Sequence, residues 1–189
     1  MDALSNAEFF DKGYVNIPVT ATDHIEPFLE RNVENQWVYY CCGQNKKVGN
    51  RFLAMPSYRN RILGVQLYMY GIKGFLQWGF NFYYSQLSRF KINPYLTTSG
   101  EKAFPSGDPF SVYPGTDGPL LSIRAVIFKE ALQDVERFKL LESLVGREKV
   151  FSVIKEFAKQ DITFSEYPKS DDFLISLDEK ISEMIRENI

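Results

Sequence analysis

Between Gln36 and Tyr84 the chain spells strand, helix, strand with a very short return, and this order constrains the fold more than any other feature. Gln36 to Cys42 (Gln-Trp-Val-Tyr-Tyr-Cys-Cys) is apolar and aromatic without clean alternation, the pattern of a strand buried on both faces. From Ser57 to Tyr70, the residues Ile62, Leu63, Val65, Gln66, Tyr68 and Met69 fall at helical spacing, and Gly71 closes the helix. Phe75 to Tyr84 then reads as a second buried strand. A helix between two neighbouring strands implies a parallel crossover. The connections are unequal: a polar loop from Gly43 to Met55 leaves the first strand, and a segment from Ser85 to Gly118 leaves the second, whereas the helix returns through Ile72 and Lys73 alone. In parallel α/β folds the loops beyond the carboxyl ends of strands build the site, so the elaborated face is the expected functional face.

The flanks are helical. Ser5-Asn6-Ala7-Glu8 reads as a capping box for a first helix with nothing before it, closed by Gly13. Tyr14 to Val19 is a short extended stretch, and Pro27 opens a second short helix running to about Val33. After Gly118, Ile123, Val126, Ile127, Val135, Phe138, Leu141 and Val145 keep a helical period to Gly146. A shorter helix carries Val150, Phe151, Ile154 and Phe157. Ser170 caps a last one, with Asp171 and Asp172 in its first turn and Phe173, Leu177, Ile181 and Met184 on one face. The expected division is a strand-and-helix region over residues 1–145 and a helical extension over residues 146–189.

Composition bounds the function. With 44% hydrophobic and 24% charged residues the chain is an ordinary globular one, which excludes disorder and coiled coil. No apolar run approaches the roughly 20 residues of a membrane span, so no membrane association is expected. The only cysteines, Cys41 and Cys42, are adjacent and cannot staple distant segments, which points to a reducing, cytoplasmic setting. Charge is uneven. Residues 1–36 hold two basic and seven acidic groups, residues 37–118 nine basic and three acidic, and residues 119–189 eleven basic and fourteen acidic. Of the 29 aromatic residues, 18 lie between Trp37 and Tyr113. A basic, aromatic middle raises nucleic acid or an anionic polymer as a partner, but no helix carries a basic stripe and no nucleic-acid motif is present, so none is expected.

The chemistry-bearing residues are few. On the elaborated face only Glu101, Asp108 and Asp117 are carboxylates, and none sits on a strand end, the rigid position an acid catalyst takes. Asp178 and Glu179 are adjacent but lie on a solvated stretch of the last helix. His24 is the only histidine and reads as a surface or capping residue, so no metal site is expected. Cys41 and Cys42 read as packed thiols rather than nucleophiles. The glycines fit neither phosphate-binding pattern, and no cofactor is expected. What remains suits carbohydrate: Trp78, Asn81, Tyr83 and Tyr84 cluster at the end of the second strand, and Gln44, Asn45 and Asn50 follow the first. Aromatic faces pack on sugar rings and amides pair with hydroxyls. Trp78 as plain sheet core is the competing reading.

Six ordered motifs carry a resemblance. They are Trp37-Val-Tyr-Tyr-Cys-Cys-Gly-Gln; Asn50-Arg-Phe; Arg61-Ile-Leu-Gly; Gly74-Phe-Leu-Gln-Trp78-Gly-Phe-Asn81-Phe-Tyr; Gly107-Asp108-Pro-Phe-Ser-Val-Tyr113-Pro-Gly; and Ser122-Ile-Arg124 followed by Glu130 and Asp134. Over residues 1–145 the chain resembles the C-terminal part of the catalytic domain of family 123 glycoside hydrolases, a region also described in bacteria as a domain of unknown function. The resemblance implies a (β/α)8 barrel and β-N-acetylgalactosaminidase chemistry. In that chemistry the substrate's own acetamido oxygen attacks the anomeric carbon, an Asp orients it and the adjacent Glu protonates the leaving oxygen. That pair belongs to an earlier strand than those present here. By motif position, Trp78 would line the sugar pocket, Asn81 and Asp108 would bond sugar hydroxyls or brace the loop, and Tyr39 and Tyr113 would shape the wall. Gln77, Gln44 and Ala131 depart from the family's commoner His or Tyr, Pro and Gly.

The expectation is therefore an α/β chain forming the C-terminal portion of a (β/α)8 barrel, with about three parallel strands followed by helices. It would supply the wall of a pocket for an N-acetylhexosamine-containing glycan and no catalytic residue. Its partners would be the sugar and the missing N-terminal barrel half, in cis or as a separate chain, with self-association in isolation because about three strands cannot close a barrel. A non-catalytic carbohydrate-binding or scaffold module is the alternative.

Overall fold

A computed structural model describes the whole chain, Met1–Ile189. Four short strands, β1 (Asp2–Leu4), β2 (Pro18–Ala21), β3 (Trp37–Tyr40) and β4 (Gly74–Gln77), pair in parallel and lie side by side in sequence order. Helices α1 (Glu8–Asp11), α2 (Glu26–Leu29) and α3 (Tyr58–Met69) connect them, and α4 (Ile123–Val145) follows the fourth. Between β4 and α4 an antiparallel hairpin forms from β5 (Val112–Pro114) and β6 (Pro119–Leu121). The chain ends in α5 (Arg147–Ala158) and α6 (Asp171–Asn188). Four consecutive strand-and-helix units in sequence order make a partial, barrel-like α/β domain. No helix is long and apolar enough to cross a membrane.

Pairing register assigns the two faces of the sheet. Val38 and Tyr40 of β3 turn to the helices, where they pack with Ile25, Leu63, Leu67 and Phe164, and Phe75 of β4 joins them edge-on to Tyr40 at 4.8 Å. The opposite face carries Ala3, Val19, Trp37 and Gly74 in one paired row and Ala21, Tyr39 and Leu76 in the next. On that face Val19 and Ala21 of β2 are buried, whereas Trp37 and Tyr39 are half-buried and Leu76 is exposed, so β3 and β4 are not buried on both sides as their composition suggests.

Most of the core lies in the helical layer. Ile62, Val65 and Tyr68 of α3 meet Phe138 and Leu141 of α4, Ile154 of α5, and Leu177 and Ile181 of α6 in one cluster of 16 buried residues. Charge reinforces the apolar contact. Arg61 of α3 grips the buried Asp134 of α4 through two hydrogen bonds of 2.8 and 3.0 Å, and Arg137 links Asp134 to Asp178 of α6. Asp178 is therefore a half-buried ion-pair partner and not part of a solvated stretch.

Several expectations are corrected. A strand, β1, precedes the first helix. That helix is not capped by Ser5: the Asn6 side chain accepts from the Glu8 N–H at 2.9 Å. Four strands replace about three, because β1 and β2, of three and four residues, are too short to show a period in sequence. The second strand predicted to run to Tyr84 stops at Gln77, where Gly79 at φ +58° turns the chain. By contrast, α3, α4 and α6 start and stop within one or two residues of their sequence signals, and Ser170 caps α6 by accepting from the Asp172 N–H.

Helices α3 and α4 approach closely at Gly64 of α3, where a Cβ would collide with the Ala131 carbonyl of α4. Backbone cannot retreat as a side-chain tip can. Gly64→Ala is expected to cost about 1–3 kcal/mol through overpacking, despite alanine's better helix propensity, read as a lowered midpoint of urea unfolding with unchanged slope. An unchanged or raised midpoint would count against this contact.

Candidate functional site

The site is built where β3 and β4 end. Beyond β3, the turn at Cys41–Gln44 is tied by the buried Gln44 side chain, whose Oε1 accepts from the Cys41 N–H at 2.9 Å and whose Nε2 donates to Asp23 at 2.8 Å. Asn50, wholly buried, gives both amide hydrogens to the carbonyls of Cys41 and Gln44, each at 2.9 Å. Gln44 and Asn50 are thus consumed in shaping the loop and hold nothing free for a sugar, unlike the role their amides suggest in sequence. Asn45 remains exposed, donating to the Cys42 carbonyl at 3.2 Å.

The next residue organises the rest. Arg51 is 2% exposed, and its Nη2 donates to the carbonyls of Trp78 at 2.7 Å and Asp108 at 2.9 Å while Nε reaches Ser111 at 3.3 Å. Its guanidinium stands over the Tyr40 ring at 5.2 Å and 3.9 Å from the Asp108 carboxylate. One side chain therefore pins the loop after β3, the start of the loop after β4 and the distal part of that same loop. A second arginine, Arg124 at the start of α4, holds the Gly107 carbonyl at 2.5 Å. Arg51 Nη1, Asp108 Oδ2 and Arg124 Nε and Nη2 have no hydrogen-bond partner within the chain, so this buried cluster keeps polar capacity in reserve. Burial pushes the Asp108 carboxyl upward in pKa, opposed first by the positive charge of Arg51 and then by the Trp78 hydrogen bond.

Asp108 orients the aromatic platform. Trp78, half-buried and the first residue past β4, donates its indole Nε1–H to Asp108 Oδ1 at 3.2 Å, and its ring packs against Phe104 at 5.0 Å and Phe82 at 5.8 Å. Gly79 follows at φ +58°, and a Cβ there would stand 2.8 Å from the Asp108 carbonyl, so only glycine lets the two loop strands pass. Asn81 is exposed and bridges to Phe110. Tyr113 is half-buried between Phe110 at 5.3 Å and Tyr95 at 5.5 Å. Trp78, Asn81, Asp108 and Tyr113 thus belong to one loop body. Tyr39 lies apart on the open face of β3, its hydroxyl pushed up in pKa by burial with the Ser5 side chain opposing. Asp108 has no exposed surface and braces the indole through Oδ1, leaving Oδ2 without a partner in the chain; Arg51 and Arg124 complete the site, and no local signal in the sequence marks them.

The remaining candidates disperse. Glu101 and Asp117 are exposed on loop turns, and Asp117 sits on the β5–β6 hairpin tip. His24 pairs through Nδ1 with Asp23 at 2.8 Å, beside a polar cavity of about 310 Å³ lined by Asp23, Glu26, Gln44, Lys46, Lys47 and Ser165. No three His, Cys, Asp or Glu side chains converge as a metal site would need. Burial, with Cys41 beside it, pushes the Cys42 thiol up to about 11.

Fold and site together define a partial parallel α/β barrel domain whose strand carboxyl ends carry an arginine-braced aromatic loop. Residues 1–141 match the family described as glycoside hydrolase 123, catalytic domain, and the chain belongs to that family. None of the curated proteins compared with it matches.

Two outcomes test this construction. Arg51→Met leaves Asp108 buried without its counter-charge and three loop acceptors unpaired, so the fold is expected to lose about 3–5 kcal/mol in chemical denaturation. A loss under about 1 kcal/mol would show that the loops hold without the pin. In a Cys41→Ser variant Cys42 is the sole thiol and the raising effect of Cys41 is gone, but burial, the larger cause, remains, so alkylation by iodoacetamide should still be climbing with pH above pH 9. A rate that plateaus below pH 9 would contradict the packed environment.

Proposed function

We propose that this chain forms the sugar-binding wall of a β-N-acetylgalactosaminidase-like site, the C-terminal part of a (β/α)8 barrel, and does not hydrolyse glycosides alone. The observation that carries the reading is Trp78: a half-buried indole fixed by Asp108 at the carboxyl end of β4, beside an exposed amide, Asn81. A braced aromatic face with an adjacent amide suits an N-acetylhexosamine, whose ring offers an apolar face and whose acetamido group and hydroxyls offer hydrogen bonds. Tyr113 and Tyr39 are the proposed flanking wall. Membership of the glycoside hydrolase family supports the substrate class.

Hydrolysis needs an acid and a group that handles the acetamido oxygen, both held near the scissile bond. In this chain Asp108 is enclosed and spent on Trp78, while Glu101 and Asp117 sit on exposed turns away from strand ends. The catalytic pair would come from the other strands of a completed barrel. Without them the chain acts as a non-catalytic carbohydrate-binding module, in the cytoplasm if its free thiols reflect its setting.

Titration of N-acetylgalactosamine is expected to quench tryptophan fluorescence saturably, with the response lost in Trp78→Ala and weakened in Asn81→Ala. The isolated chain should release no nitrophenol from an aryl N-acetyl-β-galactosaminide. Absence of any fluorescence response removes the sugar reading; turnover by the purified chain removes the claim that its catalytic pair lies elsewhere.

A further inference from the structure

We infer that the polar cavity beside His24 is a second binding site, sharing no lining residue with the Trp78 platform, and that its ligand is a small zwitterion, a free α-amino acid. At about 310 Å³ the cavity lies at the small end of the roughly 300–1,000 Å³ that ligand pockets occupy. Three parts of the chain meet there: Asp23 and Glu26 where β2 passes into α2, the loop from Gly43 to Val48 after β3, and Ser165 in the segment between α5 and α6. Ser165 lies outside residues 1–141, so the cavity uses chain that the family match does not cover.

The central wall is fixed from behind. Every carbonyl from Lys46 to Val48 is taken: Arg59 Nη2 donates to those of Lys46 and Val48, the latter at 2.6 Å, and the Tyr167 hydroxyl donates to that of Lys47 at 3.1 Å. Gln44 is clamped between the Cys41 N–H and Asp23. The loop therefore enters the cavity with its backbone already ordered, and a ligand does not have to order it on binding.

The lining carries both signs of charge in balance, the carboxylates of Asp23 and Glu26 against the ammonium groups of Lys46 and Lys47. Asp23 is partly spent, since its Oδ1 accepts from Gln44 and meets His24, and Lys47 reaches Glu166 at 3.5 Å. The side chains of Glu26 and Lys46 make no hydrogen bond or ion pair in the chain. They are opposite charges that line one cavity and do not meet.

This lining selects among ligand classes. A simple anion would face Asp23 and Glu26, and a simple cation would face Lys46 and Lys47. An apolar molecule would meet one hydrophobic side chain, Val48, and a neutral sugar would find no aromatic face to pack on. A molecule that presents an ammonium to Glu26 and Asp23 Oδ2, and a carboxylate to Lys46, satisfies both ends by charge-assisted hydrogen bonds. Ser165 is then left for a polar side chain on the ligand.

The test does not pass through sugar binding. In thermal melts of the full chain with each of the twenty common amino acids at about 10 mM, at least one should raise the midpoint by about 3–6 °C, the shift for a ligand at roughly ten times its Kd. Acetate and methylammonium at the same concentration should not. Calorimetric titration of that amino acid should give one site per chain, weakened about tenfold in Glu26→Gln and in Lys46→Gln, both at exposed positions with no contact to lose. Binding should vanish when the ligand's amino group is acetylated and stay unchanged in Trp78→Ala. No shift with any amino acid, an equal shift with acetate or methylammonium, or binding indifferent to both substitutions would each overturn the inference. Displacement by N-acetylgalactosamine would overturn it too, by making the cavity part of the sugar site. Failure here leaves a saturable fluorescence response to sugar standing, and loss of that response leaves the amino acid site standing.

Discussion

Much of the upper half of this molecule depends on one buried guanidinium. Arg51 reaches carbonyls 27 and 57 residues away, stands over the Tyr40 ring and lies beside the Asp108 carboxylate. Such a group is expensive to desolvate, and what offsets the cost is the number of acceptors it satisfies at once. The consequence is geometric. A loop of more than thirty residues after β4 would be free to wander if tied only at its ends, and the entropy of ordering it would fall on weak surface contacts. Pinned near Trp78 and again at Asp108, it becomes a fixed arch whose Phe104 packs back on the indole. Asp108 then works downstream of Arg51: held by the arginine, it can hold the indole.

The legibility of this arrangement in the sequence follows from contact range. Long helices declare themselves locally. The period from Ile123 to Val145, the Ser170 cap and the close of α3 at Gly71 are each written within a few neighbouring residues, and the structure follows them. Strands of three or four residues have too few positions to show any period, so nothing in the sequence marks β1, and the apolar run of β4 continues without a break through Trp78 into an irregular loop. The β5–β6 hairpin hides in a run of Pro, Gly and Asp that reads equally well as plain loop. Site residues divide the same way. Trp78, Asn81 and Tyr113 stand out by type, and the fold brings them to one loop body. The supporting role of Arg51 is set by partners far along the chain, and its place in a polar loop gives no local sign of it. The amides of Gln44 and Asn50 mislead in the opposite direction, since an amide that looks free in sequence can be fully consumed by backbone.

The half-open face of β3 and β4 raises the question of how four short strands hold together at all. Few of the 16 residues that make the main core could come from the sheet, and in fact none does: every one lies in α3, α4, α5, α6 or the segment between the last two. Each fully buried Val, Leu, Ile or Phe contributes about 1.5–3 kcal/mol, so this cluster outweighs what fifteen strand residues, half of them open on one side, can supply. The helical layer is thus the self-sufficient part, and the sheet is hung from it through Val38, Tyr40 and Phe75.

That division of labour also explains where charge is tolerated inside. Arg61, Asp134, Arg137 and Asp178 form a bridged set between α3, α4 and α6, and burial raises the Asp134 carboxyl in pKa against the pull of Arg61. An acid raised in the folded state adds most to stability below its unfolded pKa and loses that contribution as pH rises through the folded value. The two partners pull in opposite directions, burial working against the Asp134 carboxylate while the same pairing holds the Arg61 guanidinium protonated, so the main effect of the ion set is not on pH dependence. What it does is fix the rotation of α6 against α3 and α4, since two arginine forks accept only one arrangement of the two carboxylates, whereas an apolar stripe such as Phe173, Leu177 and Ile181 would pack in several. With the helical layer locked in one register, the strand ends hung from it stand at fixed separations, and a loop pinned by Arg51 across two of those ends can hold an indole in one orientation.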